Sequence, residues 1–189
     1  MEHVFPCGNP ALDFVGTLRA RRNAAPREML TSPGSLDAWF RESGIVDGDT
    51  DSRPSDVSKA VALREAVYSL IAAKLAKEGF DESAVSLVNA TARTPCTIPQ
   101  LGPAGRRIEA TPDQALSSIA RTAIDILAGS DASLLSECGR PECTQVYIDR
   151  SRGSRREWCS TKCRHMVNAA AYRARKREDR SRPATARPH

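Results

Sequence analysis

Four cysteines, Cys138, Cys143, Cys159 and Cys163, stand as C-x4-C, fifteen intervening residues and C-x3-C. Thiolates delivered in two close pairs suit a tetrahedral zinc site, which takes four ligands at about 2.3 Å and readily collects them from turns. The alternative, four unrelated thiols or two disulfides, requires an oxidising compartment. The opening stretch does not read as an export signal, because Glu2 stands where a basic leader would begin and Pro6, Gly8 and Pro10 interrupt any apolar run. The expectation is one structural zinc ion in a cytoplasmic protein. His165 is a weaker ligand candidate: two residues beyond Cys163 on a helix, it points about 200° away from that thiolate. Cys7 and Cys96 lack a close cysteine neighbour and read as small buried or idle thiols.

Four thiolates also close the metal to catalysis, since a hydrolytic zinc keeps one position for water and needs an acid or base beside it. The histidines are His3, His165 and His189, and none opens the H-x-E…P-C-x-x-C pattern of the base deaminases. Phosphate loops, nucleophile elbows and dinucleotide fingerprints are likewise missing. The expectation is a protein that is not an enzyme, with a small-molecule enzyme in the helical domain as the last alternative.

Charge points elsewhere. The net charge of +5 conceals 15 Lys and Arg against 20 Asp and Glu up to Asp149, and 13 against 3 from Arg150 onward. Arg150, Arg152, Arg155 and Arg156 lie between the cysteine pairs, and Arg164, Arg173, Arg175, Lys176 and Arg177 follow the last cysteine. A metal that gathers both groups forces like charges together, which favours a polyanion between them. DNA is the expected partner, with RNA or an acidic protein as the alternative. Trp158 and Tyr172 can stack on bases or form the module's small core.

The elements that must position these residues read as mainly α. Asn9-Pro10 opens a helix over Ala11 to Arg21, Ser35 caps a short helix through Trp39 that ends at Gly44, and a long helix runs from near Ser55 to Glu78. Asp81 and Thr111-Pro112 open two more, and a small hairpin is expected between Pro95 and Ala110. After a short helical link, Val146 to Ile148 reads as a strand, Arg152-Gly153-Ser154 as a turn, and Ser160 as the cap of a last helix. That helix's face of Cys163, Val167, Ala170, Ala171 and Ala174 is expected to pack on a treble-clef-like or ribbon zinc module. The 189 residues divide into a helical domain, 1–130, a zinc module with its basic helix, 131–177, and a disordered tail, 178–189. No stretch approaches the ~18 apolar residues of a membrane span. Inside the helical domain, Asp13, Thr17, Trp39, Arg64 and Asn89 interrupt apolar faces, either as a buried hydrogen-bond network or as a site for an unidentified small-molecule effector.

The stretch Cys138 to Arg177, with Val146-Tyr147-Ile148-Asp149-Arg150-Ser151-Arg152, Arg155-Arg156-Glu157-Trp158-Cys159-Ser160 and Ala169-Ala170-Ala171-Tyr172-Arg173-Ala174-Arg175, resembles the CGNR zinc finger. Upstream, Leu12-Asp13-Phe14-Val15, Leu36 to Phe40, Leu63-Arg64-Glu65-Ala66 and Asn89 resemble the ABATE domain that accompanies this finger. The resemblance implies a bacterial stress-linked transcription regulator, with a DNA-binding finger and a helical sensor. Two departures stand out: Cys163-Arg164-His165-Met166 replaces Cys-Gly-Asn-Arg, and Gly16 replaces an asparagine before Thr17.

Overall fold

The computed structural model describes residues 3–181, and side chains over 3–177. Its helical part is built from α1 (Pro10–Val15), α2 (Pro33–Glu42), α3 (Pro54–Ala76), α4 (Glu82–Arg93) and α5 (Pro112–Ala128). The starts of α1, α4 and α5 are written in the sequence by caps: Asn9 Oδ1 accepts from Ala11 N at 3.0 Å, Asp81 Oδ1 from Ala84 N at 2.8 Å, and Thr111 exchanges bonds with Gln114. α2 starts from Ser32 instead of Ser35, which closes the reciprocal box as its third residue. α3 stops before Gly79, at Lys77 in the left-handed conformation with φ 59°.

α1, α3, α4 and α5 pack on one another through the expected stripes, with Leu63, Val67, Leu70 and Ile71 of α3 facing Leu116, Ile119, Ala120 and Ala123 of α5. Trp39 is 1 % exposed and touches the rings of Phe5, Phe14 and Phe40. Truncating such a side chain typically costs about 3–5 kcal/mol.

α1 is shorter than the helix expected to Arg21. The chain turns after Gly16, and β1 (Leu18–Arg19) pairs antiparallel with β2 (Arg27–Glu28). Arg64, reaching from α3, draws both segments together: its Nη1 and Nη2 bind Glu28 at 2.6 and 2.7 Å, and Nη1 also reaches Thr17 Oγ1 at 3.2 Å. The expected hairpin is β3 (Gln100–Gly102) against β4 (Gly105–Arg107).

Beyond a 3₁₀ turn (Ser130–Leu134), β5 (Leu135–Glu137) pairs antiparallel with β6 (Val146–Ile148), and α6 (Thr161–Ser181) follows. The β-hairpin therefore straddles the first cysteine pair, where the sequence places its turn after Val146 to Ile148. α6 runs through the first residues of the expected tail, and 182–189 lie outside the described residues. Among the described residues, no helix is long and apolar enough to cross a membrane. The buried apolar residues form one continuous cluster that includes Leu135, Val146 and Ile148 of the zinc module.

Candidate metal centre and nucleic-acid interface

The first pair sits on the tight connection between β5 and β6. Cys138 follows β5 and donates its N–H to Gln145 O at 3.0 Å, while Cys143 N donates to Arg140 O at 2.8 Å. Gly139 fits closely between them: its N–H donates to Glu157 O at 2.8 Å, and a Cβ would meet that oxygen at 3.2 Å and the Trp158 ring at 3.3 Å, a tight fit that would need the neighbours to give slightly. The second pair sits at the start of α6, where Cys163 N donates to the capping Ser160 Oγ at 3.3 Å. A hairpin turn facing a helix N-terminus is the treble-clef arrangement.

All four sulfurs lie within 4.8 Å of one another, with Cys143 and Cys159 at 3.8 Å and Cys159 and Cys163 at 3.5 Å. Ligands 2.3 Å from a tetrahedral zinc stand about 3.8 Å apart, so the cluster fits a single zinc ion. Among the described residues, His165 does not join the group. Without metal the thiols cannot all ionise. The hydrogen bond from Cys159 lowers Cys143 to about 5, and the same contact, with burial, pushes Cys159 upward. A divalent cation removes that conflict by holding every sulfur as thiolate.

The loop from β6 to α6 carries Arg150, Arg152, Arg155 and Arg156, and its shape depends on Asp149. That carboxylate accepts from Ser151 N at 2.8 Å and Arg156 N at 3.1 Å, and its bonds from Ser151 hold its pKa below the usual carboxylate range. The arginines divide. Arg156 turns inward, giving Nε to Trp158 O at 3.0 Å and Nη2 to Cys159 O at 2.5 Å, with its guanidinium 4.1 Å from the Tyr147 ring centre. Arg150 pairs with Asp131 at 2.6 Å, whereas Arg152 and Arg155 are exposed. Arg155, Arg156 and Arg164 share with Trp158 and Thr161 the lining of an open depression of about 490 Å³ at the N-terminus of α6.

Along α6 the apolar face does not pack as expected. Cys163 is buried and Val167 half-buried, but Ala170, Ala171 and Ala174 are exposed, as are Arg164, Arg173, Arg175, Lys176 and Arg177. Zinc anchors the first turn, and the rest projects away from the body.

Of the five polar candidates of the helical part, Arg64 and Thr17 are bonded to each other. Arg64 is 1 % exposed and spends its donors on Glu28, Thr17 and Glu65. Burial alone would lower its pKa, but the bonds it donates to the two glutamates outweigh this and raise it. Burial pushes the Asp13 carboxyl up, against the pull of its bonds from the Cys7–Asn9 segment. Trp39 belongs to the aromatic core, and Asn89 is exposed on α4. Glu28, the partner that organises Arg64 and Thr17, carries no sequence signal beyond its charge. Gln145 was equally invisible: its Nε2 donates to Gly16 O at 3.1 Å and its Oε1 accepts from Cys7 Sγ at 3.3 Å, joining finger to helical domain. A Cβ at Gly16 would stand 2.2 Å from Gln145 Oε1, so this contact needs glycine there.

Against known families, residues 8–130 match the ABATE model, described as "Putative stress-induced transcription regulator". The chain belongs to the ABATE family. Residues 135–176 match the CGNR zinc finger, so the four-thiolate centre is the metal site of that finger. The two regions follow in the order that the residue patterns imply. No curated protein matches the chain.

Proposed function

We propose that this ABATE protein regulates transcription by binding duplex DNA through its zinc finger and α6, with the helical domain as the part that receives an input. The observation that carries this reading is the projecting basic helix. Its first turn is fixed by Cys163 and Ser160, and residues 168–177 are all exposed. A helix exposed all round gains little from packing on its own domain, and Arg173, Arg175, Lys176 and Arg177 repel one another within two turns. Phosphates along a groove would relieve that repulsion and supply the missing contacts. Arg155 and Arg164, beside the N-terminus of α6, extend the positive surface back to the zinc. Zinc is structural in this reading: its ligand set leaves no position for a substrate or water, and no catalysis is assigned to the chain.

The test is fluorescence anisotropy at low salt against random duplex DNA, single-stranded DNA and RNA, with zinc-loaded protein and with a Cys138→Ser, Cys159→Ser double variant. Duplex binding that is lost with the zinc supports the reading. Failure to bind any nucleic acid, or undiminished binding by the variant, overturns it and directs attention to an acidic protein partner.

A further inference from the structure

We propose that the seam between the helical domain and the finger is a binding site for a small monocarboxylate, seated against the outer side of the zinc cluster. A cavity of about 320 Å³ lies there, with three of the zinc thiolates on one side and Arg19, Ala20, Thr144 and Lys162 around it. That volume lies at the lower end of small-ligand pockets.

The strongest sign of a missing occupant is Thr144. It is 2 % exposed, it lines the cavity, and its hydroxyl has no hydrogen-bond partner among the described residues. Buried hydroxyls are rarely left so, because the lost hydration is costly. Arg19 and Lys162 border the same space, and neither forms an ion pair among the described residues. The groups waiting for a partner can therefore all donate, and the ligand must supply acceptor oxygens.

Charge narrows the class. Zinc with four thiolates is formally a dianion, while Arg140, 3.9 Å from Cys163 Sγ, is tied to Glu142 at 3.0 Å. Those two rim charges cancel, and Arg19 with Lys162 brings the walls close to neutrality. Such walls accept one negative charge more readily than the two of a phosphate monoester. Val4, Pro6 and Ala20 leave room for a short apolar body. An occupant would touch both parts of the chain at once, beside the Gln145 contact that joins them. The site stands on the cavity and does not depend on DNA binding.

The experiment is a titration of isotope-labelled, zinc-loaded full chain with benzoate, without DNA, followed by amide NMR. Benzoate is expected to shift the amides of Ala20, Thr144 and Gln145 together and saturably, with phenyl phosphate and neutral benzamide at least about tenfold weaker. Thr144→Val and Arg19→Gln should each weaken benzoate by about tenfold, the size of one hydrogen bond to a charged group. Thr144→Val should also raise the melting temperature of the free protein, since it removes an unpartnered hydroxyl at nearly constant volume, whereas a folding defect would lower it. No coordinated shift at these amides, equal binding of benzamide or phenyl phosphate, or unchanged affinity in both variants would overturn the proposal.

Discussion

Arg155 and Arg156 are adjacent in sequence, yet the fold uses them differently. Arg156 binds three carbonyls, those of Pro6, Trp158 and Cys159, and lies over Tyr147, whereas Arg155 is exposed with one bond to Arg152 O. Arg156→Ala should destabilise the finger by roughly 1–3 kcal/mol, the range for losing hydrogen bonds from a charged group. Arg155→Ala should leave the melt unchanged and flatten the salt dependence of DNA binding by about 0.9 log units, one phosphate contact. Thermal melts followed by intrinsic tryptophan fluorescence, paired with binding isotherms, separate the two. Residue type and spacing revealed the zinc ligands because metal chemistry demands them locally. They could not divide the arginines, because that division depends on carbonyls brought together only by folding.

A second residue-scale prediction concerns pH. Burial pushes the Asp37 carboxyl up, but hydrogen bonds from Ser52 and Thr50 outweigh it and hold it below its ordinary value. Its stabilisation is then complete above the unfolded pKa of about 4 and is lost as pH falls through the lower folded value. Glu28, held down by Arg64 against its own burial, adds in the same direction. Melting temperature should fall on acidification below about pH 4–5, and less steeply in Asp37→Asn, which starts lower. A variant whose acid profile parallels that of the natural chain would contradict this origin.

At the scale of elements, the helices, the β3–β4 hairpin and β6 were legible, whereas β1, β2 and β5 were not. Asn9, Asp81 and Thr111 each place a helix start, because a cap is a local bargain between one side chain and a free N–H. β5, three residues long, exists only through its pairing with β6 and has no pattern of its own. α1 ended early for a tertiary reason, since the Arg64 and Glu28 pair pulls the following chain into β1 and β2. α6 depends on the metal for its anchored first turn and has little packing thereafter. Chelation should therefore raise hydrogen exchange across Val146 to Ala174 while α3 and α5 stay protected. Uniform deprotection of the whole chain, or none, would contradict a metal-held module on a self-supporting helical body.

For the whole molecule, the two family regions share one buried cluster, and the seam is small but specific. Val146 and Glu137 of the finger border the same small cavity as Tyr68, Ile71 and Leu75 of α3, and Gln145 bonds to Gly16 and Cys7. The sequence indicated two parts through composition and charge, but said nothing of how they join, because Gln145 and Gly16 are unremarkable until they meet. Residues 1–130 should still fold alone with a cooperative helical melt, since α1, α3, α4 and α5 mainly pack on one another. The melt should come at lower temperature than in the full chain, whose finger covers that surface. An unfolded fragment would argue for a single inseparable core.

The claim that joins these scales is that zinc fixes a basic helix for contact with DNA phosphates. Its most direct test is the dependence of duplex affinity on salt, for the zinc-loaded chain and for a variant with Arg173, Arg175, Lys176 and Arg177 all changed to Ala. Each phosphate contact contributes about 0.9 to the log–log slope. The expected result is a steep negative slope for the natural chain and one shallower by about three to four units for the variant, with zinc content unchanged. Equal slopes for the two proteins would contradict the claim.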